Sequence, residues 1–280
     1  MKKKYTFLLF FILAFALKAQ ESVIFKMQFL AGKKYELRTI SNSNFTMNFE
    51  AKKEVLDAIK KQITLPMISK TNMEIVADIN TGKEIENKIP FVIDYKKVHT
   101  LKNIGGKEMN PTNPIEGSRL FGYYENGLHM KIDSIKSKIM DKKTKEYLIK
   151  TVQNITNNIK FPDYALKVGD TFKQKIPMKI PIEGIGNISL ILDTNYKLME
   201  IKNNIAYFDT IINFTLGSDI PQFTVTSTGN GTGKVEYNIL NTITQKNITN
   251  YNLLLNVANK DFKIKANIDA DSSYNLKILN

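Results

Sequence analysis

Apolar and polar residues alternate along most of the chain, and the pattern is clearest in the C-terminal half. From Ile188 to Leu198, residues at every second position are almost all apolar or aromatic, and those between them are mainly polar. After Asn203-Asn204, the segment from Ala206 to Leu216 shows the same alternation. Successive side chains of a strand point to opposite faces, so this pattern predicts a long hairpin with one dry face and one wet face.

Alternating segments elsewhere predict about a dozen strands in all. In the C-terminal half they are Phe223–Thr228, Lys234–Leu240, Ile248–Val257, Phe262–Ile268 and a last strand around Tyr274–Ile278. In the N-terminal half they are Val23–Leu30, Tyr35–Phe49, Met73–Ile79, Glu84–Thr100, Leu120–Tyr124 and Leu128–Ile132. Asn80-Thr81-Gly82 and Glu125-Asn126-Gly127 predict tight turns between strands, because Asn and Gly tolerate positive φ angles.

Helical spacing of apolar residues interrupts the alternation in two places. Glu54 to Ile63 predicts a short amphipathic helix, and Lys143 to Asn158 predicts a longer one. Phe161-Pro162 ends the second helix, because the residue before a proline is disfavoured in the helical region. Gly105 to Gly117, which contains two prolines, is predicted to be a loop.

These elements predict a mainly β fold, of β-rich α+β type, built on a long and strongly curved antiparallel sheet. A dry face of this length must be covered, and the sheet can close into a barrel or curl around the helix. No internal repeat or low-complexity linker divides the chain. We therefore expect residues 20–280 to form a single β-rich domain in two halves joined around residues 135–172.

The first 19 residues have the three parts of a secretory signal. Lys2 to Lys4 form a charged start, Phe7 to Leu17 is an unbroken apolar run, and Ala19 precedes Gln20. The run is too short to span a bilayer, so we expect cleavage after Ala19 and no retained anchor. Cleavage after Ala16 is the alternative. The expected location is the periplasm or the outside of a Gram-negative cell.

The composition of the chain indicates which anchors and binding partners to expect. The chain has no cysteine, so the exported protein is expected to lack both disulfides and a cysteine-linked lipid anchor. Its formal charge is +13, of which four charges come from lysines of the signal, leaving +9. Almost all of the positive charge is lysine, whereas surfaces that read phosphates and bases favour arginine. Nucleic acid is therefore not an expected partner, and weak attraction to acidic lipid headgroups stays open.

No residue set meets the spacing of a known catalytic, cofactor-binding or metal site, and none is assigned. His99 and His129 each lie in a predicted strand without metal-ligand spacing, and no G-x-S-x-G motif exposes a serine. The acidic pairs are interpreted as solvated turn residues, with calcium ligands or glycosidase carboxylates as the alternatives: Asp269 with Asp271, and Asp133 with Asp141. We therefore expect a protein without a cofactor that is not an enzyme.

Gly229 to Lys234 resembles a phosphate-binding loop only superficially. Thr228 stands where the first glycine of that loop would be, and Val235 replaces the Ser or Thr that would hold magnesium. The segment also lies between predicted strands, with no helix N-terminus to receive a phosphate. It is interpreted as a glycine-rich turn or bulge.

The most specific signal is the segment Phe161 to Phe172, which reads F-P-D-Y-A-L-K-V-G-D-T-F. It predicts a helix end, a short extended run and a Gly-Asp turn that starts a strand with Phe172 packed inward. Here the chain resembles a family of exported Bacteroidota proteins of unassigned function, which share F-P-x-x-x-[LV]-x-V-G-D-[ST]-[WF] between two β-rich halves. The resemblance is sharp only over residues 161–216, and Phe172 stands where tryptophan is commoner. It implies a fold similar to the lipoprotein-carrier half barrel, with a curved antiparallel sheet over a central helix.

Two functions remain open at this level. The first is a non-enzymatic exported protein that binds a lipid or other amphiphile in a half-barrel cavity. The alternative is an envelope structural or interaction protein that contacts a protein or glycan partner through the sheet edge or exposed loops. Nine methionines suit either an adaptable cavity lining or an ordinary core: Met27, Met47, Met67, Met73, Met109, Met130, Met140, Met178 and Met199.

Overall fold

The structure is a computed structural model, and it describes residues 22–61, 64–127, 129–156, 160–182, 186–217 and 222–279. The expected signal segment, residues 1–19, lies outside the described residues. The strands are β1 Ser22–Val23, β2 Lys34–Ala51, β3 Met67–Thr81, β4 Lys88–Ile104, β5 Lys107–Met109, β6 Arg119–Glu125, β7 His129–Lys136, β8 Leu166–Lys167, β9 Thr171–Ile182, β10 Gly186–Lys202, β11 Ile205–Leu216, β12 Thr224–Asn238, β13 Ile243–Ala258 and β14 Phe262–Leu279. The helices are α1 Lys53–Lys60 and α2 Lys142–Thr156.

One antiparallel sheet contains nearly all of these strands, in the order β7-β6-β4-β3-β2-β14-β13-β12-β11-β10-β9, with β5 paired to β4. The chain builds one half from β2 to β7, crosses to the far edge through α2, and returns from β9 to β14. The first and last long strands then pair along their length, from Lys34 with Leu279 to Ala51 with Phe262. The sheet does not close, and the predicted mainly β, half-barrel type of fold is confirmed.

Turn chemistry sets the register of two hairpins as the sequence predicts. Asn203 and Asn204 both have positive φ angles, 53° and 61°, between β10 and β11. Asn126 and Gly127, with φ angles of 52° and 71°, lie between β6 and β7. Two successive residues with positive φ match the right-handed twist of the flanking strands, so both hairpins leave their turns in tight register.

Both predicted helices are present with slightly different ends. The helix predicted from Glu54 is α1, and the one predicted from Lys143 is α2; residues 62–63 and 157–159 lie outside the described residues. The α2 helix contacts β7 and packs on one half of the sheet through Leu148, Ile149 and Val152. The expected central helix therefore covers the β7 side of the sheet.

Several sequence-based boundaries were wrong. The tight turn predicted at Asn80-Thr81-Gly82 lies later in the chain, because β3 continues to Thr81 and the positive φ angles fall at Glu86 and Asn87. The strand predicted over Val23–Leu30 ends at Val23, because the following residues insert side chains into the core and bond to turns instead of to a strand. The segment Gly229–Lys234 is neither a turn nor a bulge but the middle of β12, which joins two predicted strands into one. The predicted loop Gly105–Gly117 contains the short strand β5.

Alternate residues of the long strands form three apolar clusters on one face, here called the inner face. The helix cluster lies beneath α2 and includes Tyr35, Ile79, Phe91, Leu120, Tyr124 and Leu276. The strap cluster includes Phe25, Leu166, Phe172, Leu198, Phe208 and Tyr237. The open cluster includes Ile188, Leu190, Ile212, Phe214, Leu253, Leu255, Val257 and Ile264. The helix and strap clusters lie at one end of the long strands, and the open cluster lies at the other.

Glycines on the inner face of β12 explain how the sheet curls. Gly229, Gly231 and Gly233 pair with Leu253, Tyr251 and Thr249 of β13. A Cβ added to Gly231 would lie 2.3 Å from the backbone oxygen of Asn250, and one added to Gly229 would lie 2.7 Å from that of Asn252. Any larger residue would collide with the neighbouring strand, so this row permits the tight bend that a half barrel requires.

Candidate functional site: the inner face of the half barrel

A strap formed by residues 24–30 closes one end of the inner face. The backbone of Gln28 donates to Thr242 O over 2.8 Å, and that of Phe29 donates to Gly127 O over 2.9 Å, which ties the strap to two hairpin turns. The Tyr237 hydroxyl donates to the carbonyl of Lys26. The Thr81 hydroxyl donates to Leu30 O over 2.7 Å. Bonds to two turns and to side chains near the ends of two strands fix the strap across this end of the sheet.

Phe25 anchors the strap in the strap cluster. It is 2% exposed. Its ring centroid lies 5.2 Å from those of Phe208 and Tyr237 and 5.7 Å from that of Phe161. Edge-to-face and offset arrangements at these distances are favourable beyond simple burial. This end of the inner face is therefore filled by the protein's own aromatic side chains.

The segment Phe161 to Phe172 is part of the same closure. Gly169 has a φ of 98°, and its N–H donates to Leu198 O over 2.8 Å. The Asp170 carboxylate accepts from the backbone N–H of Lys167 over 3.0 Å, which closes the turn. Phe172 is buried and stacks on Tyr196 with centroids 4.6 Å apart. The prediction that Phe172 packs inward after a Gly-Asp turn is confirmed, and these residues have a structural role.

The opposite end differs because only strand residues and Phe223 form the open cluster among the residues described. Large apolar side chains at its border are only partly buried: Phe45, Met47, Phe49, Met178, Leu192, Leu216, Phe223, Val225, Tyr251, Phe262 and Ile268. No described residue of α2 or of the strap belongs to this cluster. Among the described residues, the inner face is thus closed at one end, and at the other it presents an apolar surface that is only partly buried.

A depression of about 580 Å³ lies at the rim of the open cluster. It is lined by Gln222, Phe223, Thr224, Ala258, Asn259 and Lys260. The ring of Phe223, which lines the depression, lies 5.9 Å from that of Phe262. A volume of this size is within the range of small-molecule sites.

A row of hydroxyl side chains crosses the inner face between the two ends. Ser41, Ser272, Thr249 and Thr210 lie on β2, β14, β13 and β11, at one level set by the strand register, and Gly233 occupies the intervening position on β12. The Thr249 and Ser272 hydroxyls are 2.9 Å apart. This hydroxyl row, defined by those four residues, separates the open cluster from the closed end.

Charge is segregated by face. The inner faces of β2 and of β10 to β14, as far as they are described, carry apolar, hydroxyl, amide and glycine residues but no charged side chain. Ion pairs lie on the outer face, including Lys97 with Glu74 at 2.6 Å and Lys265 with Glu50 at 2.6 Å. The hydrogen bond from Lys97 is the main cause that lowers the pKa of Glu74, and the bond from Lys265 does the same for Glu50.

Tyrosines on the inner face stay neutral. Burial raises the pKa of Tyr237 to about 12 and raises those of Tyr251 and Tyr196 as well. The pKa of Tyr124 is raised well above its ordinary value by burial and by nearby tyrosines. These phenols are therefore uncharged hydrogen-bonding groups across the physiological range, and they add no charge to the inner face.

The histidines and acidic residues weighed in the sequence do not converge. His99 lies opposite Glu74 on β4, and His129 begins β7 opposite Glu125. Asp141 accepts from the backbone N–H of Thr144 over 2.7 Å at the start of α2, and this bond lowers the pKa of its carboxyl. It acts as a helix cap. Within the described ranges, no group of three or more His, Asp or Glu residues is placed to hold a metal ion.

Asp269 and Asp271 are strand residues, so their interpretation as turn residues was wrong. They lie on the outer face of β14 in a patch of amides. Asn252 donates to Asp269 over 2.6 Å, and Asn42 donates to Asp271 over 2.8 Å. A shallow depression of about 380 Å³ lies over this patch. Each carboxylate is therefore held by neighbouring amides on a solvated surface.

The methionines divide between several environments. Met130 and Met140 are buried in the helix cluster. Met47 and Met178 border the open cluster. Met109 and Met199 are exposed. Only part of the set is therefore available to line a site on the inner face.

No family model matches the chain, and no curated protein matches it significantly. A solved structure of lipovitellin, described by its lipid–protein interactions, shows 11% identity and a TM-score of 0.46 over 90% of this chain. This chain spans only 26% of the length of that one.

Two bacterial structures also align. The outer membrane protein OprG from Pseudomonas aeruginosa gives 6% identity and a TM-score of 0.24, covering 90% of this chain and 97% of the other. A protein from Bacteroides fragilis, described as exported with a YmcC-like fold, gives 9% identity and a TM-score of 0.21, covering 92% of this chain and all of the other. All three TM-scores are below 0.5, so these likenesses carry no inference about function. In the part of the chain that the structure describes, no helix is long and apolar enough to cross a bilayer.

Proposed function

We propose that this protein is a non-enzymatic exported protein that binds a lipid or other amphiphile on the inner face of its half barrel. The observation that carries the proposal is the open cluster. Its border side chains are apolar and partly exposed on a curved surface, and no described residue of α2 or of the strap packs on them. Partly exposed apolar surface gathered in one concave region is typical of a binding site.

The alternative, an envelope partner bound through the sheet edge, has less support. The edge strand β9 contains Pro177 and Pro181, which lack a backbone N–H, and carries Lys173 and Lys175 on its outer face. Prolines and lysines on an edge are common devices against pairing with another strand. The other edge strand, β7, is contacted by α2. Neither edge favours the addition of a partner strand.

Titration with laurdan, an uncharged fluorescent probe with a 12-carbon acyl chain, tests the proposal. We expect its emission to shift to the blue on binding the full mature chain, as apolar surroundings replace water. Leu216 borders the open cluster, and Leu216→Asn should weaken laurdan binding by about tenfold, since burying an amide without a partner costs more than about 1 kcal/mol. Phe223→Asn should act in the same direction without altering a strand.

Leu254→Asn is the matched control, because Leu254 lies on the outer face of β13 and is 38% exposed. It should leave laurdan binding unchanged. Circular dichroism and thermal unfolding of each variant establish that the sheet is intact. If wild type shows no saturable binding, or if Leu254→Asn weakens binding as much as Leu216→Asn, the inner face is not the site.

The proposed place of action is the periplasm or the exterior of the cell. This part of the proposal rests on the charged start, the apolar run and the small residue before Gln20. N-terminal sequencing of the protein recovered from an envelope or culture fraction checks it. A mature start at Gln20 supports the proposal, and recovery of the intact N-terminus in the cytosol contradicts it.

A further inference from the structure

The polar middle of the inner face indicates what kind of amphiphile the site would hold. This inference rests on the proposed function, since the hydroxyl row matters only if a ligand occupies the inner face. Below the open cluster, the residues that point inward change from large and apolar to small and polar on several strands at once. Ser41 and Ser43 on β2 precede Phe45, and Ala270 and Ser272 on β14 follow Ile268.

Two polar atoms in this region are buried without a partner. Within the described residues, no hydrogen bond is made by the Thr210 hydroxyl or by the Asn247 side-chain oxygen. Thr210 is only 4% exposed. Both side chains point to the inner face, since they share it with their paired residues Gly233 and Val235. A buried polar group without a partner is costly, so a group that completes these bonds is expected there.

The position of Thr210 depends on the glycine row. A Cβ at Gly233 would lie 2.6 Å from the Thr210 hydroxyl, so the hydroxyl occupies the space that a side chain on β12 would fill. Asn247 lies on the next strand, opposite Val235. The two groups therefore flank β12 one inward-facing position apart, with Thr210 in the hydroxyl row and Asn247 next to it. From Ser41 to Phe45, where the apolar side chains of β2 begin, the distance is about 13 Å at the rise of a strand.

The absence of charge on this face selects between headgroups. A carboxylate or phosphate at the hydroxyl row would be removed from water without a counter-charge on the described inner faces of β2 and β10 to β14. The nearby ion pairs, such as Lys234 with Asp209, lie on the opposite face of the sheet. Burying an unpaired charge is far more costly than burying a hydrogen-bonded hydroxyl. Uncharged hydroxyls match the row of hydroxyl and amide groups.

We infer that the ligand is an amphiphile with an uncharged, hydroxyl-bearing head. Its tail lies on the open cluster, and its head bonds to Asn247 and to the hydroxyl row, which includes Thr210. An acylglycerol or an acylated sugar has this chemistry, whereas a free fatty acid or a phospholipid does not. Hydroxyls both donate and accept, so one head can satisfy the Thr210 hydroxyl and the Asn247 oxygen together.

Displacement of laurdan by two ligands with the same acyl chain tests this inference at pH 8. We expect 1-monolauroylglycerol to displace the probe at a concentration at least about tenfold below that of laurate, each below its micellar concentration. Thr210→Val, which keeps the shape but removes the hydroxyl, and Asn247→Leu should each weaken monolauroylglycerol by about fivefold while leaving laurate unchanged. Thr228→Val on the outer face of β12 is the matched control and should change neither ligand.

The outcomes separate this inference from the proposed function. If laurdan binds but laurate displaces it as well as monolauroylglycerol does, the amphiphile site stands and the uncharged head is wrong. The same holds if Thr210→Val and Asn247→Leu bind monolauroylglycerol like wild type. If laurdan does not bind at all, the amphiphile site itself is wrong, and the inference about its head falls with it.

Discussion

Gly231 lies in the glycine row on the inner face of β12, and its replacement by alanine tests whether this row permits the sheet to curl. An added Cβ would lie 2.3 Å from Asn250 O and 2.6 Å from the Cβ of Tyr251. Both distances are shorter than real Cβ contacts, so the neighbouring backbone must move. Since Asn250 is in the middle of β13, that movement disturbs pairing on both of its sides.

The expected cost follows from the competition of two effects. In a flat strand, alanine would be favoured over glycine by about 0.5–1 kcal/mol, because glycine loses more backbone freedom on folding. Overpacking against a fixed backbone costs typically about 1–3 kcal/mol, and a collision with backbone is at the upper end of that range. We therefore expect Gly231→Ala to lower the free energy of unfolding by about 2 kcal/mol or more.

Equilibrium urea unfolding, followed by circular dichroism, measures this change. Gly217→Ala is the control, because its added Cβ would lie no closer than 3.3 Å to Ser189 O and its backbone does not have a positive φ. We expect the control to change stability by less than about 1 kcal/mol. If Gly231→Ala is as stable as wild type, or more stable, then β12 is not bent at this position and the explanation of the curl is wrong.

Two further predictions concern the strap cluster. Phe25→Ala should lower the free energy of unfolding by about 3–5 kcal/mol in urea titrations, since Phe25 is 2% exposed and contacts three aromatic rings. Tyr164→Ala, at an exposed position, should change it by less than about 0.5 kcal/mol. Equal effects of the two substitutions would contradict the anchoring role of Phe25. Tyr237 has a folded-state pKa of about 12, against an ordinary value of 10.0. As the pH rises, the unfolded chain therefore loses this proton before the folded chain does. The stability that the neutral phenol contributes below pH 10 is lost as the pH rises towards 12. Wild type should therefore lose more stability than Tyr237→Phe between pH 9 and pH 11.5 in unfolding titrations, and parallel losses would show that the phenol is not buried.

The sequence was sufficient to predict most of the long strands, because one face of each is buried. Period-two alternation in β10 and β11 predicts their hairpin, and the pair of asparagines between them predicts its turn. The same alternation identifies which residues of these strands lie on the inner face. It also gives the absence of charge on that face, since every second residue from Tyr35 to Phe49 is uncharged in the sequence itself.

The errors come from residues whose role depends on distant partners. Glycines usually indicate turns, so Gly229 to Gly233 were interpreted as a turn or bulge, whereas the close approach of β13 requires glycine inside a strand. The strap has an apolar pattern like a strand, but its backbone bonds go to turns near Gly127 and Thr242. Neither contact can be read from local sequence.

The candidate site was predicted only in outline. A dry inner face follows from alternation, and an amphiphile as its ligand stays a proposal, but which end of the face is covered depends on how α2 and the strap fold back. The hydroxyl row was also missed. It is visible in the sequence as a change from large apolar residues to Ser and Thr at alternate positions, and its level across strands becomes evident only with the register.

Photolabelling tests the central claim, that the open cluster of the inner face holds an amphiphile, most directly. Monolauroylglycerol carrying a diazirine near the end of its acyl chain would be bound to the mature protein, activated by light, and the labelled residues located by mass spectrometry. Labels are expected on residues that border the open cluster, such as Leu216, Phe223 and Phe262, with loss of labelling when unmodified monolauroylglycerol is added. Labels confined to outer-face residues such as Ile211 and Leu254, or labelling that the unmodified ligand does not reduce, would contradict it.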